Sequence, residues 1–171
     1  MNAEHDDDSR APLDDAEALA LLADSLPSRV PSRGGRERLL AALRGPERFA
    51  PFLAEVSRAF GLGEAALRAA FARIPDEAAW QPGFWPGSQL LSTPELAQAH
   101  TVFARLAAGS RIASHGHPMR ELTYVLDGLL IEDDGRSLGP GELLAMPPGS
   151  QHAIAVAPDS ECMVVFGLKR V

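Results

Sequence analysis

The sequence predicts a mainly β fold in its second half, a small sandwich or barrel, behind an N-terminal α-helical segment. Three observations carry that expectation. From about Gln89 onward, short apolar runs alternate with turn signals: Asp134-Gly135, Gly139-Pro140-Gly141 and Pro147-Pro148-Gly149. Before that point, apolar residues recur at the three-to-four spacing of a helix face. With 171 residues, 46% of them hydrophobic, there is enough apolar material for one sizeable core.

Residues 1–12 read as a disordered acidic tail, because Asp6-Asp7-Asp8 repels itself and has nothing to bury. His5, inside it, reads as solvated. A helical segment spans 13–80. One helix is expected at Asp15 to Ser25, ahead of Pro27, and another at Arg36 to Arg44, ahead of Gly45-Pro46. Phe49, Phe52, Leu53, Val56, Ala59 and Phe60 share one face of a single further helix, which Gly61 and Gly63 interrupt. Leu67, Ala70, Phe71 and Ile74 continue the spacing in the next helix, limited by Pro75. This Phe-bearing stripe is expected to pack on the barrel or on a second copy of the chain, and a homodimer is the expected assembly.

The barrel is expected over 81–171. Gln81 to Gly87 is a connector that Trp80 and Trp85 pin to the core. Strands are expected at Thr101 to Leu106, Glu121 to Leu126, Leu129 to Glu132, Glu142 to Ala145, His152 to Val156 and Glu161 to Phe166. Asp134-Gly135 marks a hairpin.

The formal net charge of -7 argues against nucleic acid and anionic membrane surfaces as partners, both of which select clustered Lys and Arg. Arg29, Arg33, Arg36 and Arg38 read as a solvated helix start. A single cysteine, Cys162, allows no intramolecular disulfide and no Cys-based zinc site; it reads as a buried, inert thiol. No run reaches the roughly 18–20 apolar residues of a membrane span. Met1 to Ser9 is polar, so a cytoplasmic protein is the expectation.

Chemistry concentrates in His115-Gly116-His117-Pro118-Met119-Arg120-Glu121 and in His152. In extended chain, side chains alternate faces, so 115, 117 and 121 share parity and are expected on one side of a sheet. His152, on a later strand, would complete the set from across the barrel. Three imidazoles and a carboxylate suit a divalent first-row metal, whereas Ca and Mg prefer all-oxygen sites. Zinc is the expected ion, with Fe, Mn, Ni or Cu as alternatives. Thr123, Tyr124, Met119, Met146 and Cys162 are candidates for a pocket lining, although Tyr124 and Arg120 have the wrong parity to point with Glu121. Arg105 and Arg111 are candidates for an inward cation that would hold a carboxylate. His100 reads as a surface residue.

Gly109, five residues, His115-x-His117, three residues, Glu121, six residues and Gly128 resembles the first cupin motif. Gly141, five residues, Pro147-x-Gly149, two residues and His152 resembles the second, with Val156 where an Asn is usual. The resemblance implies a jelly-roll barrel (a double-stranded β-helix) with metal ligands at His115, His117, Glu121 and His152. Leu39 to Leu43, Arg48-Phe49-Ala50-Pro51-Phe52, Ala79-Trp80 and the run from Gly139 to Cys162 further resemble ChrR-type anti-sigma factors, bacterial regulators of stress-responsive transcription. That resemblance implies a regulatory or ligand-sensing cupin with a sigma factor or other protein as partner and a small molecule in the barrel. The family's His-x-x-x-Cys-x-x-Cys zinc motif is absent. The alternative is a metal-dependent dioxygenase acting on a small organic substrate; no catalytic residue is assigned.

Overall fold

The computed structural model describes residues 15–26 and 33–169. The acidic tail with His5, and Arg29, lie outside them. Residues 1–38 and 39–171 form two compact units. In the first, α1 (Asp15–Ser25) shows exposed Leu19, Leu21 and Leu22, and α2 (Arg33–Arg44) begins there and runs into the second.

In the second unit the Phe stripe is not one helix. Pro46–Phe52 is a 3-10 helix containing Pro51, and α3 (Leu53–Phe60) follows it. Pro51 has no N–H to donate, so an α-helical ladder cannot run through that turn. The stripe still faces one way: Phe49, Leu53, Val56 and Phe60 are all buried. Gly61 ends α3 in the left-handed conformation at φ 64°, which a residue with a Cβ adopts only under strain. The next helix, α4 (Glu64–Arg73), buries Leu67, Ala70 and Phe71.

Two antiparallel sheets follow. In chain order the strands are β1 (Gln81–Pro82), β2 (Ser88–Leu91), β3 (Thr101–Leu106), β4 (Arg111–Gly116), β5 (Arg120–Asp127), β6 (Leu130–Glu132), β7 (Ser137–Leu138), β8 (Leu143–Met146), β9 (Gln151–Val156) and β10 (Cys162–Lys169), with a short α5 (Pro94–Gln98) before β3. One sheet has the order β1-β2-β3-β10-β5-β8, the other β4-β9-β6-β7. The hairpin expected at Asp134-Gly135 joins β6 to β7, with Gly135 at φ 87°. No strand is expected from sequence at Arg111–Gly116, whose Arg, Ser, His and Gly give it little strand propensity. Pairing with β9 supplies what propensity lacks.

Period-two alternation divides the six-stranded sheet between two cores. Phe103, Leu122, Tyr124, Leu126 and Val165 face outward into one cluster with Phe49, Val56, Phe60, Leu67 and Phe71. Ala104, Leu106, Val125, Val164 and Phe166 face inward, against Ile112, Leu130, Ile154 and Val156 of the four-stranded sheet. The Phe-bearing helices are thus a lid on the outer face of the barrel. That apolar surface, which prompted the homodimer expectation, is covered within one chain.

Candidate metal centre

Each member of the cluster reaches the barrel mouth by its own route. On β4, Ile112 points into the inner core. Strict alternation from it would turn Ser114 and Gly116 inward. A register irregularity between Ile112 and His115 shifts the phase, so that His115 pairs directly with His152 of β9. On β9 His152, Ile154 and Val156 are all buried, one parity facing inward.

The shared parity of 115, 117 and 121 is therefore not what gathers them. β4 ends at Gly116, the chain crosses to the other sheet through His117–Met119, and Glu121 stands on β5. His117 belongs to no strand. Its N–H donates to Ser150 O at 3.0 Å and its carbonyl accepts from Gly149 N at 2.8 Å, so the Pro147–Gly149 turn fixes it. Nor does His152 approach from across the barrel. It is the neighbour of His115 within one sheet, and Glu121 is the residue that comes from the opposite wall.

The three imidazoles form a near-equilateral triangle, with ring centroids 4.8, 4.9 and 4.8 Å apart. One ligand atom from each histidine and one from Glu121 all lie within 4.8 Å of one another. Donors bound to a single ion at about 2.1 Å stand roughly 3–4 Å apart, so the set needs to contract only slightly to close on a metal.

Hydrogen bonding sorts the ring nitrogens. His115 Nδ1 is 3.0 Å from Ala113 O, to which its N–H donates, leaving Nε2 free for the centre. His152 Nδ1 lies 3.3 Å from Glu132 Oε1. The Nε2 atoms of His117 and His152 are buried with no partner. Each such orphan costs about 1–3 kcal/mol, a penalty that an ion at the centre removes. Burial is the largest influence on His117 and pulls its pKa below the ordinary imidazole value. Glu121, whose Oε2 is 3.5 Å from His117 Nδ1, pulls the other way, and His152 and His115 add to the lowering. The direction favours neutral imidazole, the form that ligates. The residues present fit a metal ion.

Glu132 is a further member of the site that the sequence motifs do not mark. It is the last residue of β6, only 8% exposed, with Oε2 3.9 Å from Arg136. Its inward-facing position shows only once β6 is paired with β9, so the sequence alone carries no signal for it.

The other sequence candidates fall elsewhere. Tyr124 points away, to the helical lid, where its hydroxyl donates to Glu55 Oε2 at 2.9 Å and Phe52 meets its ring edge-on. Burial, then Glu55, raises its pKa. Cys162 is fully buried in the inner core, and burial pushes its thiol up to about 12, so it is inert. Thr123 is buried on β5, while Met119 and Met146 are half-buried. Arg105 is not an inward cation. It pairs with Glu77 at 2.9 Å on the outer face and stacks 4.3 Å from the Trp80 ring. Arg111 is exposed.

A cavity of about 360 Å³ adjoins the cluster, lined by Phe84, Trp85, His100, Val102, Glu121 and Phe166 among others. Glu121 is the member of the cluster that stands in its wall. His100, read from sequence as surface, is exposed at the cavity rim in a left-handed conformation, φ 51°.

A family model described as the ChrR cupin-like domain matches residues 69–171, more than half of the chain. The chain belongs to the ChrR cupin-like family. Among solved structures, the ChrR-family chain resembles Rhodobacter sphaeroides SigE in complex with the anti-sigma ChrR, with TM-score 0.50 and 21% identity over 91% of this chain and 76% of that one. That match supports the fold. KdgF from Halomonas sp. matches at TM-score 0.41 and 25% identity, over 53% of this chain and 86% of that one. A cupin-like protein of unknown function from Ralstonia eutropha matches at TM-score 0.39 and 25% identity, over 40% of this chain; the ChrR-family chain spans 45% of its length. No curated protein matches. Among the described residues no helix is long and apolar enough to cross a membrane.

Proposed function

We propose that the chain is a metal-binding regulatory or ligand-sensing cupin of transcriptional stress responses. In this reading His115, His117, Glu121 and His152 hold one divalent transition ion, zinc first. The observation that carries it is the convergence of three imidazoles and a carboxylate with two buried Nε2 atoms lacking any other partner. When bound, the ion supplies a fixed positive charge and, if redox-active, electron chemistry. The protein's part is to hold the ring tautomers, disfavour the protonated form of His117 by burial and leave one approach, past Glu121, open to a ligand. A sigma factor is the partner class proposed by analogy with ChrR, which is seen with SigE.

A dioxygenase is the second reading, favoured by the cavity that gives a small organic molecule room beside Glu121. Against it, among the described residues His100 and Glu121 are the only titratable side chains lining that cavity, and in this reading Glu121 is a ligand. Protein purified without a nickel column and found to carry zinc, with no oxygen uptake in the presence of small aromatic acids, is the expected outcome. Iron, manganese or copper with sustained oxygen consumption would replace the regulatory reading by the enzymatic one.

Glu132 acts on the ion through His152, by accepting its Nδ1–H and so aiming Nε2 at the centre. Glu132→Ala is expected to weaken metal binding about 10–100-fold in a competition titration against a chelator. Glu132→Gln, which still offers an acceptor, should lose less. Equal affinity in all three proteins would remove this role.

A further inference from the structure

We infer that the cavity beside Glu121 binds a small aromatic carboxylate, its ring on the wall formed by Phe84, Trp85 and Phe166 and its carboxylate directed to the metal. The inference rests on the metal reading and adds the ligand's chemistry. The volume, about 360 Å³, lies in the range of small-molecule sites.

The wall is aromatic and continuous. The Trp85 ring lies 5.4 Å from Phe166, tilted at 49°, and 6.1 Å from Phe84, edge-on at 88°. Rings of this kind take another ring in offset or edge contact. The loop that carries Trp85 is held in place, while Phe84 beside it is 83% exposed. Trp85 N donates to Ser88 Oγ at 3.1 Å, Ser88 Oγ donates to Trp85 O at 2.7 Å, and Gly83 N donates to Ser88 O at 2.9 Å. A Cβ at Gly83 would lie 2.1 Å from Ser88 Oγ, so the loop closes this tightly only with glycine there. Ala107 N donates to Gly87 O at 2.8 Å and ties the loop to the barrel.

Charge selects the other end of the ligand. Among the described residues no Lys or Arg lines the cavity. Three imidazole ligands and one carboxylate would leave a divalent ion with one net positive charge, facing a cavity whose wall is mostly apolar. An anionic oxygen donor is the group that such a charge draws in. Glu121, in the wall, marks where the ion meets the cavity. Leu168 pairs directly with Glu121 in the β10–β5 ladder and lines the same space, 37% exposed.

The test is calorimetric titration of the metal-loaded full chain with benzoate, benzyl alcohol and acetate, with metal content measured on each sample. Benzoate is expected to bind saturably and at least tenfold more tightly than the uncharged alcohol or the ringless acid. Its affinity should fall at least tenfold in metal-stripped protein and in Trp85→Ala. Leu168→Asp alters an exposed position, so fold and metal should survive while benzoate weakens at least tenfold by like-charge repulsion. Benzyl alcohol binding as well as benzoate would overturn the inference. So would benzoate affinity indifferent to Leu168→Asp, or no benzoate binding to protein that carries its metal; these outcomes leave the metal reading standing. Failure to take up any metal would remove both.

Discussion

Phe60→Ala is expected to cost about 3–5 kcal/mol of stability, a large share of the roughly 5–15 kcal/mol that holds a domain of this size. Phe60 is fully buried at the end of α3. Its ring rests on the backbone of β10 so closely that a Cβ at Gly167 would come within 2.7 Å of it. Lys169 Nζ donates to the Phe60 carbonyl, adding a polar tie at the same place. The cavity left by the ring would lie between the helical lid and the six-stranded sheet, both largely rigid, so little collapse can recover the loss. Urea unfolding of the metal-stripped protein measures it. One cooperative transition, shifted by the stated amount, is the expected result, since Phe60 shares its core with Tyr124, Phe103 and Val165 of the sheet. A shift below about 1 kcal/mol, or a separate early transition, would show the lid folding independently of the barrel.

The second large effect belongs to the metal. At a thousandfold excess over its dissociation constant, an ion that binds only the folded chain stabilises it by about 4 kcal/mol. For a protein of this size that corresponds to a rise in melting midpoint of roughly 10 °C. Stripping the wild type with a chelator should therefore lower the midpoint by about that amount, and re-addition should restore it. In His152→Ala the midpoint should no longer respond to metal. The metal-free variant should melt somewhat below the metal-free wild type, because deleting the ring removes a buried Nε2 that has no partner without the ion but also takes from buried Glu132 its His152 donor. A wild type whose midpoint ignores metal, measured by differential scanning calorimetry, would contradict the account of the centre.

The four residues of the cluster were legible in the sequence, but not for the reason that period-two parity suggested. Parity assumes one unbroken strand from 115 to 121. The chain instead changes sheets at His117, and the irregularity between Ile112 and His115 resets the phase of β4. The residues converge because two walls and a turn meet, and only pairing across the barrel decides that. Glu132 was invisible for a related reason: a lone Glu at a strand end reads as solvated until β6 is laid beside β9. The lid was half legible. Helical spacing identified the buried face of Phe49 to Phe60, while the change from 3-10 to α geometry at Pro51 depends on one missing N–H. Trp85 reads from sequence as a pin and in the fold also forms part of a cavity wall, which depends on contacts with Phe166 nearly half the chain away.

Metal content tests the central claim most directly. Wild type and His117→Ala, prepared without a nickel column and exchanged into metal-free buffer, would be assayed for first-row metals by mass spectrometry, before and after loading. About one ion per chain in the wild type, and almost none in His117→Ala at an unchanged fold, is the predicted result. Equal occupancy in the two proteins, or none in either after loading, would contradict it.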